Sequence, residues 1–175
     1  MEYEFTLKFK LPLDVGNVDQ IIDRLAEAGC DDALVGVGVQ GKVALDFIRE
    51  SESAAAAIIS AIRDVKSAIP DAQLVEVGPD FVGVTDVADI IGVSRQNIRK
   101  LMVNNAATFP LAVHEGNSAI WHLALVLQWF KGKGLYENTV SSLFEISRMA
   151  MEVNIVKETK RLSHSHHGDL ESLVA

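Results

Sequence analysis

Five side chains with hydrogen-bonding ends follow a single serine: Ser94 leads into Arg95, Gln96 and Asn97, and beyond Ile98 come Arg99 and Lys100. A guanidinium offers paired N–H donors that match a guanine edge, a glutamine amide offers the donor and acceptor that an adenine edge needs, and a lysine ammonium is a point charge suited to phosphate. On a helix these residues would lie outward, opposite Ile98. The chemistry they could perform is recognition of a polyanion by hydrogen bonding, with no bond made or broken.

Such side chains are useful only on a rigid support. A helix begins where a side-chain oxygen satisfies orphan amides, and Thr85 and Ser94 are placed to supply those oxygens. Gly92, just past Ile90 and Ile91, suits the left-handed residue that ends a helix cheaply. The pattern predicts one helix over 86–91 and a second over 94–102. Val87, Ile90 and Ile91 recur at helical spacing, Ala88 is small enough for a close crossing, and Val93, Ile98, Leu101 and Met102 would form the second helix's inner face.

The pattern Thr85, Ala88, Gly92-Val93-Ser94 and Ile98-Arg99 resembles the winged helix-turn-helix domains of MerR-type regulators. Its continuation is similar to the excisionase and AlpA-like members: Phe109-Pro110, a glycine turn at Gly116, Trp121, then an apolar helix through Val126 to Phe130. The likeness covers about fifty residues in order. It implies a partner, double-stranded DNA, read in the major groove by the helix over 94–102. Arg95, Gln96 and Arg99 would face base edges; Ser94, Asn97, Lys100 and the Thr85 end of the first helix would lie nearer phosphates. The wing, about Val113 to Trp121, would lie against the backbone or the minor groove. Where many relatives carry wing arginines, this chain has His114, Asn117 and His122; Lys131 and Lys133 stand where they could reach phosphates.

The charge distribution agrees with a local anion-binding surface. The chain's formal net charge is -8, but residues 1–80 hold 7 basic and 15 acidic side chains, whereas residues 81–175 hold 9 of each. Between Val93 and Leu135 there are five basic residues and only Glu115 against them. An acidic front portion would weaken indiscriminate DNA binding and leave base readout to choose the site.

That front portion, residues 1–78, has its own pattern. Tyr3, Phe5, Leu7, Phe9 and Leu11 alternate with polar residues, the period-two signature of a half-buried strand. Asn17 can cap a helix carrying Val18, Ile21, Ile22, Leu25 and Ala26, ending at Gly29. Strands over about 33–39 and 42–49 meet at Gln40-Gly41 as a hairpin. Ser51 or Ser53 opens a helix with Ala54, Ala57, Ile58, Ala61, Ile62, Val65 and Ile69 inward, stopped by Pro70, and a last strand covers 73–77. The order βαββαβ predicts a ferredoxin-like domain, with both helices on one face of an antiparallel sheet. Its open face needs polar side chains or a partner, and the domain is expected to sense a small-molecule or protein effector or to oligomerise. Gly78-Pro79-Asp80 is the expected junction.

Within this domain, Val-Gly-Val-Gly-Val around Gly36 and Gly38 suits a strand better than a phosphate loop, because no helix start follows. Asp31 and Asp32 are expected to be solvated in a turn. Cys30, the only cysteine, is expected to be a packed thiol, and a single cysteine agrees with a reducing compartment.

After Lys131-Gly132-Lys133-Gly134, Asn138 or Thr139 is expected to cap a long helix over 138–162. Its stripe, Leu143, Ile146, Met149, Ala150, Val153 and Val156, is too apolar to stand alone. The MerR-type resemblance implies that Leu143, Ile146, Met149, Val153 and Val156 dimerise, giving a homodimer or higher oligomer; folding back on the same chain is the other solution. His164, His166 and His167 fall in a tail, 163–175, expected to be flexible.

The expected class is therefore α+β: a ferredoxin-like domain at 1–78, a winged helix-turn-helix domain at 81–134 and a C-terminal helix. The expected function is a sequence-specific DNA-binding transcriptional regulator of bacterial or phage type. A protein-interaction adaptor, or an excisionase-like architectural factor, is the alternative use of the same fold. No paired acid and base or nucleophile emerges, so no enzyme, metal or cofactor is expected. No stretch approaches a membrane span, and a cytoplasmic location follows by default.

Overall fold

The computed structural model describes residues 1–38, 41–162, 170, 173 and 174. It is an α+β structure. The front part runs β1 (Glu2–Lys10), α1 (Val18–Glu27), β2 (Ala33–Gly36), β3 (Lys42–Glu50), α2 (Ala54–Ala68) and β4 (Gln73–Gly78). The strands form one antiparallel sheet in the order β2-β3-β1-β4. β1 pairs with β3 without a break from Glu2↔Glu50 to Lys10↔Lys42.

The alternation in β1 is used as the period-two pattern requires: Phe5, Leu7 and Phe9 point to the helices and are buried with Leu45, Phe47, Leu25, Ile58 and Val65. Phe5 and Phe47 stack with ring centroids 5.1 Å apart. Each such large side chain contributes about 1.5 to 3 kcal/mol by leaving water. Asn17 and Gln20 form a reciprocal capping box at the start of α1, and the Ser53 hydroxyl accepts from the Ala56 amide at the start of α2. The β2 strand ends at Gly36, short of the expected 39, and the expected turn residue Gln40 lies outside the described residues.

The second part runs β5 (Phe81–Val82), α3 (Val84–Ile91), α4 (Arg95–Asn104), β6 (Trp121–His122) and α5 (Leu123–Gly132). β5 and β6 pair through Phe81↔His122 and Val82↔Trp121. Trp121 thus sits on a strand. Val87, Ala88, Ile98, Trp121, Leu127 and Phe130 form the second core.

α6 (Glu137–Thr159) joins the two parts. It starts one residue before the expected Asn138 cap, following Tyr136 in the left-handed region (φ 55). Most of its stripe packs on its own chain, the other of the two solutions open to it. Ile146 and Ala150 are buried in the front core, with Met149 and Val153 packed against it. Leu143 touches both cores, Val140 is buried in the second, and only Val156 is left exposed, at 56%. The apolar stripe is the same either way; the antiparallel sheet and α2 are simply the nearer surface.

The same helix closes a sheet edge. Strand β4 has a free side, and unpaired edge groups invite other strands. The Asn154 side chain fills that role: its Oδ1 accepts from the Val77 amide (2.9 Å) and its Nδ2 donates to the Val77 carbonyl (2.8 Å). The Lys157 ammonium donates to the carbonyl of Val75. His164, His166 and His167, and most of the tail, lie outside the described residues. Among the described residues no helix is long and apolar enough to cross a membrane.

Candidate nucleic-acid interface

Two helices meeting at a glycine carry the candidate residues. Gly92 ends α3 with φ 76, ψ 34, and its N–H closes on the carbonyls of Ala88 and Asp89. The Ser94 hydroxyl then accepts from the Asn97 amide (3.2 Å), opening α4. Ile98 is buried at 1% exposure, with Leu101 and Met102 partly buried beside it, so the inner face is held.

Thr85 is not the cap of the first helix. α3 begins at Val84 because the Asp86 carboxylate reaches back to accept from the Gly83 N–H at 2.7 Å, satisfying the orphan amide one turn earlier. A carboxylate in a first turn also faces the positive end of the helix dipole. Thr85 is left exposed in that turn.

The outer face of α4 is unencumbered. Arg95, Gln96, Asn97, Arg99 and Lys100 are all exposed, and none of their side chains makes a hydrogen bond or ion pair with another described residue. Three cations on one helix without a carboxylate partner leave their charge available to a ligand.

Opposite α4 stands a short hairpin. The Val113 amide donates to the Ile120 carbonyl (2.8 Å) and the Ile120 amide donates to the His114 carbonyl (3.0 Å), with Glu115 to Ser118 as its exposed tip. Its base is fixed by aromatic packing: Phe109 meets Trp121 and Trp129 edge-on, and the Trp121 indole N–H donates to the Pro110 carbonyl at 3.1 Å. Between the hairpin, α4 and the start of α3 lies a cleft of about 610 Å³. Thr85, Arg95, Arg99 and Asn117 line it together.

Other candidates are placed elsewhere. His122 is turned inward: its Nδ1 stands 2.7 Å from the Asp80 carboxylate, its ring packs on Phe81, and its side chain is only 13% exposed. His114 is exposed on the hairpin, outside the cleft lining. The ammoniums of Lys131 and Lys133, at the end of α5, lie over the rings of Phe144 (5.0 Å) and Trp129 (5.7 Å).

Two buried polar clusters carried no local signal in the sequence. Asp80, fully buried, accepts from Asn154 Nδ2 (2.7 Å) and pairs with His122, so the junction is a packed node and not a hinge. Arg49 gives its Nε and both terminal nitrogens to Asp32, Asp64, Ser60 and the Gly29 carbonyl at 2.7 to 3.0 Å. Asp32 is thus clamped by two of these bonds rather than solvated. The hydrogen bond that Arg49 donates to Asp32 is the largest of the influences that raise the Arg49 pKa.

Cys30 is packed against the same cluster, 2% exposed, and burial followed by the Asp64 charge pushes its thiol up to about 11. A thiol so shifted is a poor nucleophile at neutral pH. Among the described residues no three His, Cys, Asp or Glu side chains gather as a metal site. Comparison with protein-family models, with curated proteins and with solved structures finds no match for the chain.

Proposed function

We propose that this protein is a sequence-specific DNA-binding transcriptional regulator, of the repressor or autoregulator kind, built from a ferredoxin-like domain and a winged helix-turn-helix unit of the MerR and excisionase type. The single observation that carries the proposal is the two-sidedness of α4: Ile98 is locked in the core, while Arg95, Gln96, Asn97, Arg99 and Lys100 stand exposed without internal partners. In a major groove, Arg95, Gln96 and Arg99 would address base edges and Lys100 the backbone. The hairpin tip at Asn117 borders the same cleft, a position from which it can meet the backbone flanking that groove. The net negative front domain suppresses loose binding elsewhere.

The test is binding to labelled DNA from immediately upstream of the protein's own gene, and to a random-sequence pool, across a salt series. The wild type should bind saturably, resist competitor DNA and weaken with salt, and the Arg95→Ala, Arg99→Ala double variant should not bind. Absence of binding to both DNAs at low salt would replace this function with that of an adaptor whose α4 contacts protein.

A further inference from the structure

One face of α4 changes character along its length. Arg95, Arg99, Met102 and Val103 recur at helical spacing, which places them in one row, and all four line the cleft of about 610 Å³ between α4 and the hairpin. The row begins with two guanidiniums and ends with two apolar side chains, over about 12 Å of helix axis. Val103 is 76% exposed, and Met102 is half-buried.

The rest of the lining is of the same two kinds. Thr85, Asn117 and Ser118 bring hydroxyl and amide groups, whereas Val84, Ile120 and Trp121 bring apolar surface. The carboxylate on the lining, Asp86, is already engaged by the Gly83 N–H at 2.7 Å. Neither arginine has an acidic partner among the described residues. Phosphates would satisfy the guanidiniums, but apart from thymine methyls DNA offers the apolar end of the row no complement. The volume falls within the range of small-molecule sites, in which apolar walls and a few placed polar groups hold one ligand.

We propose that this cleft binds a small organic anion with an aromatic body, a carboxylate or sulfonate carried on fused or linked rings. The acid group sits at Arg95 and Arg99, where a guanidinium can offer it two parallel N–H donors, and the rings lie along Met102, Val103 and Ile120. An inorganic anion gains nothing from the apolar end and is held more weakly. Binding of the anion rests on the cleft alone. Its consequence for DNA rests on the DNA-binding reading: the ligand takes the two arginines that would address bases, so ligand and DNA exclude each other and the anion acts as an inducer.

The test is a fluorescence titration of the full chain with anilinonaphthalene sulfonate and with its uncharged parent, phenylnaphthylamine. The wild type should bind the sulfonate saturably and the parent more weakly. Arg95→Gln with Arg99→Gln keeps the side chains long but uncharged, and should raise the dissociation constant of the sulfonate on the order of 10-fold or more while leaving that of the parent unchanged. Val103→Asp, at an exposed position, sets a carboxylate at the apolar end and should weaken both probes. Arg148→Ala with Arg161→Ala removes as much charge from other exposed positions and should change neither. All variants should keep wild-type circular dichroism. No saturable binding of the sulfonate, or binding that the cleft variants leave intact, would overturn the proposal as adventitious dye binding. Labelled DNA separates the site from the function. A chain that binds the sulfonate as described but no DNA keeps the site and loses the DNA-binding reading, whereas one that binds DNA but not the sulfonate loses the site alone. Sulfonate and DNA bound at once would place the anion away from the two arginines and overturn the proposal.

Discussion

The Asn154 amide is bonded simultaneously to the Asp80 carboxylate, at 2.7 Å, and to both backbone groups of Val77. One side chain from α6 thereby ties the sheet edge to the junction, and Asp80 passes the connection on to His122 at the start of α5. The two parts of the chain are fixed relative to each other by buried polar bonds as well as by the apolar faces of α6.

Asn154→Ala should be among the most costly single substitutions in the chain. It leaves a buried carboxylate short of one donor and both Val77 groups unpaired, each worth about 1 to 3 kcal/mol, so a loss of roughly 3 to 4 kcal/mol is expected in urea unfolding. Because His122 shares Asp80, the double variant with His122→Ala should lose less than the sum of the two singles. Additive losses would mean that Asp80 does not couple them.

Local patterns were legible in the sequence where the signal and its cause lie within a few residues. Asn17, Ser53 (one of the two serines offered) and Ser94 sit where helices must start, Gly92 sits where a left-handed turn is needed, and the alternation that begins at Tyr3 forms a strand through Lys10. Thr85 misled because Asp86, three residues beyond Gly83, competes for the same task and wins by starting α3 earlier. The stripe of α6 announced that it would be buried, but apolar residues do not name the surface that covers them. The Asp80 node was illegible for another reason: its partners are 42 and 74 residues away, and nothing at Gly78-Pro79-Asp80 distinguishes a packed carboxylate from a solvated one. In the candidate site, the cations of α4 could be read from composition, whereas the inward placement of His122 required knowing that Asp80 was beneath it.

Arg49→Lys should destabilise the front part by about 2 to 3 kcal/mol. An ammonium cannot reproduce the fork that holds Asp32 at 2.7 and 2.9 Å while also reaching Asp64 and the Gly29 carbonyl. The two carboxylates are 29% exposed, so water takes up part of the loss and the cost stays below that of a fully buried pair. The drop should appear as a lower urea midpoint with an unchanged slope.

Cys30 predicts an alkaline limb in stability. Its thiol is raised from 9.0 to about 11 in the folded chain, so the fold favours the neutral form. The associated stability is fully present below pH 9 and is lost as pH rises through about 11, amounting to roughly 2 to 3 kcal/mol. Urea midpoints of wild type and Cys30→Ala should therefore converge between pH 9 and 11, with the variant the less sensitive to pH. Parallel pH profiles would show that the thiol does not titrate with unfolding.

Gly92→Ala should cost about 1 kcal/mol and no more. The backbone there is left-handed at φ 76, which penalises any Cβ, yet an added Cβ would meet no atom within 4 Å. The loss is thus one of backbone conformation alone, and Gly92→Asn should recover part of it. A much larger loss would place something against the turn that the packing of α3 and α4 does not contain.

Within α4 the exposed cations should separate by role. Lys100→Ala should lower affinity for specific and random DNA alike and reduce the magnitude of the salt slope by about 1, because one fewer counterion is released. Arg95→Ala should instead relax specificity, losing about 1 to 3 kcal/mol of discrimination at one base position while random-sequence binding falls less. Ser94→Ala removes the acceptor for the Asn97 amide and costs about 1 kcal/mol of stability at the start of the helix. At temperatures where each variant is fully folded, titrations at three salt concentrations distinguish the roles. Equal specificity losses from Arg95 and Lys100 would mean that α4 lies across the groove in another register than the one in which Arg95, Gln96 and Arg99 face the bases.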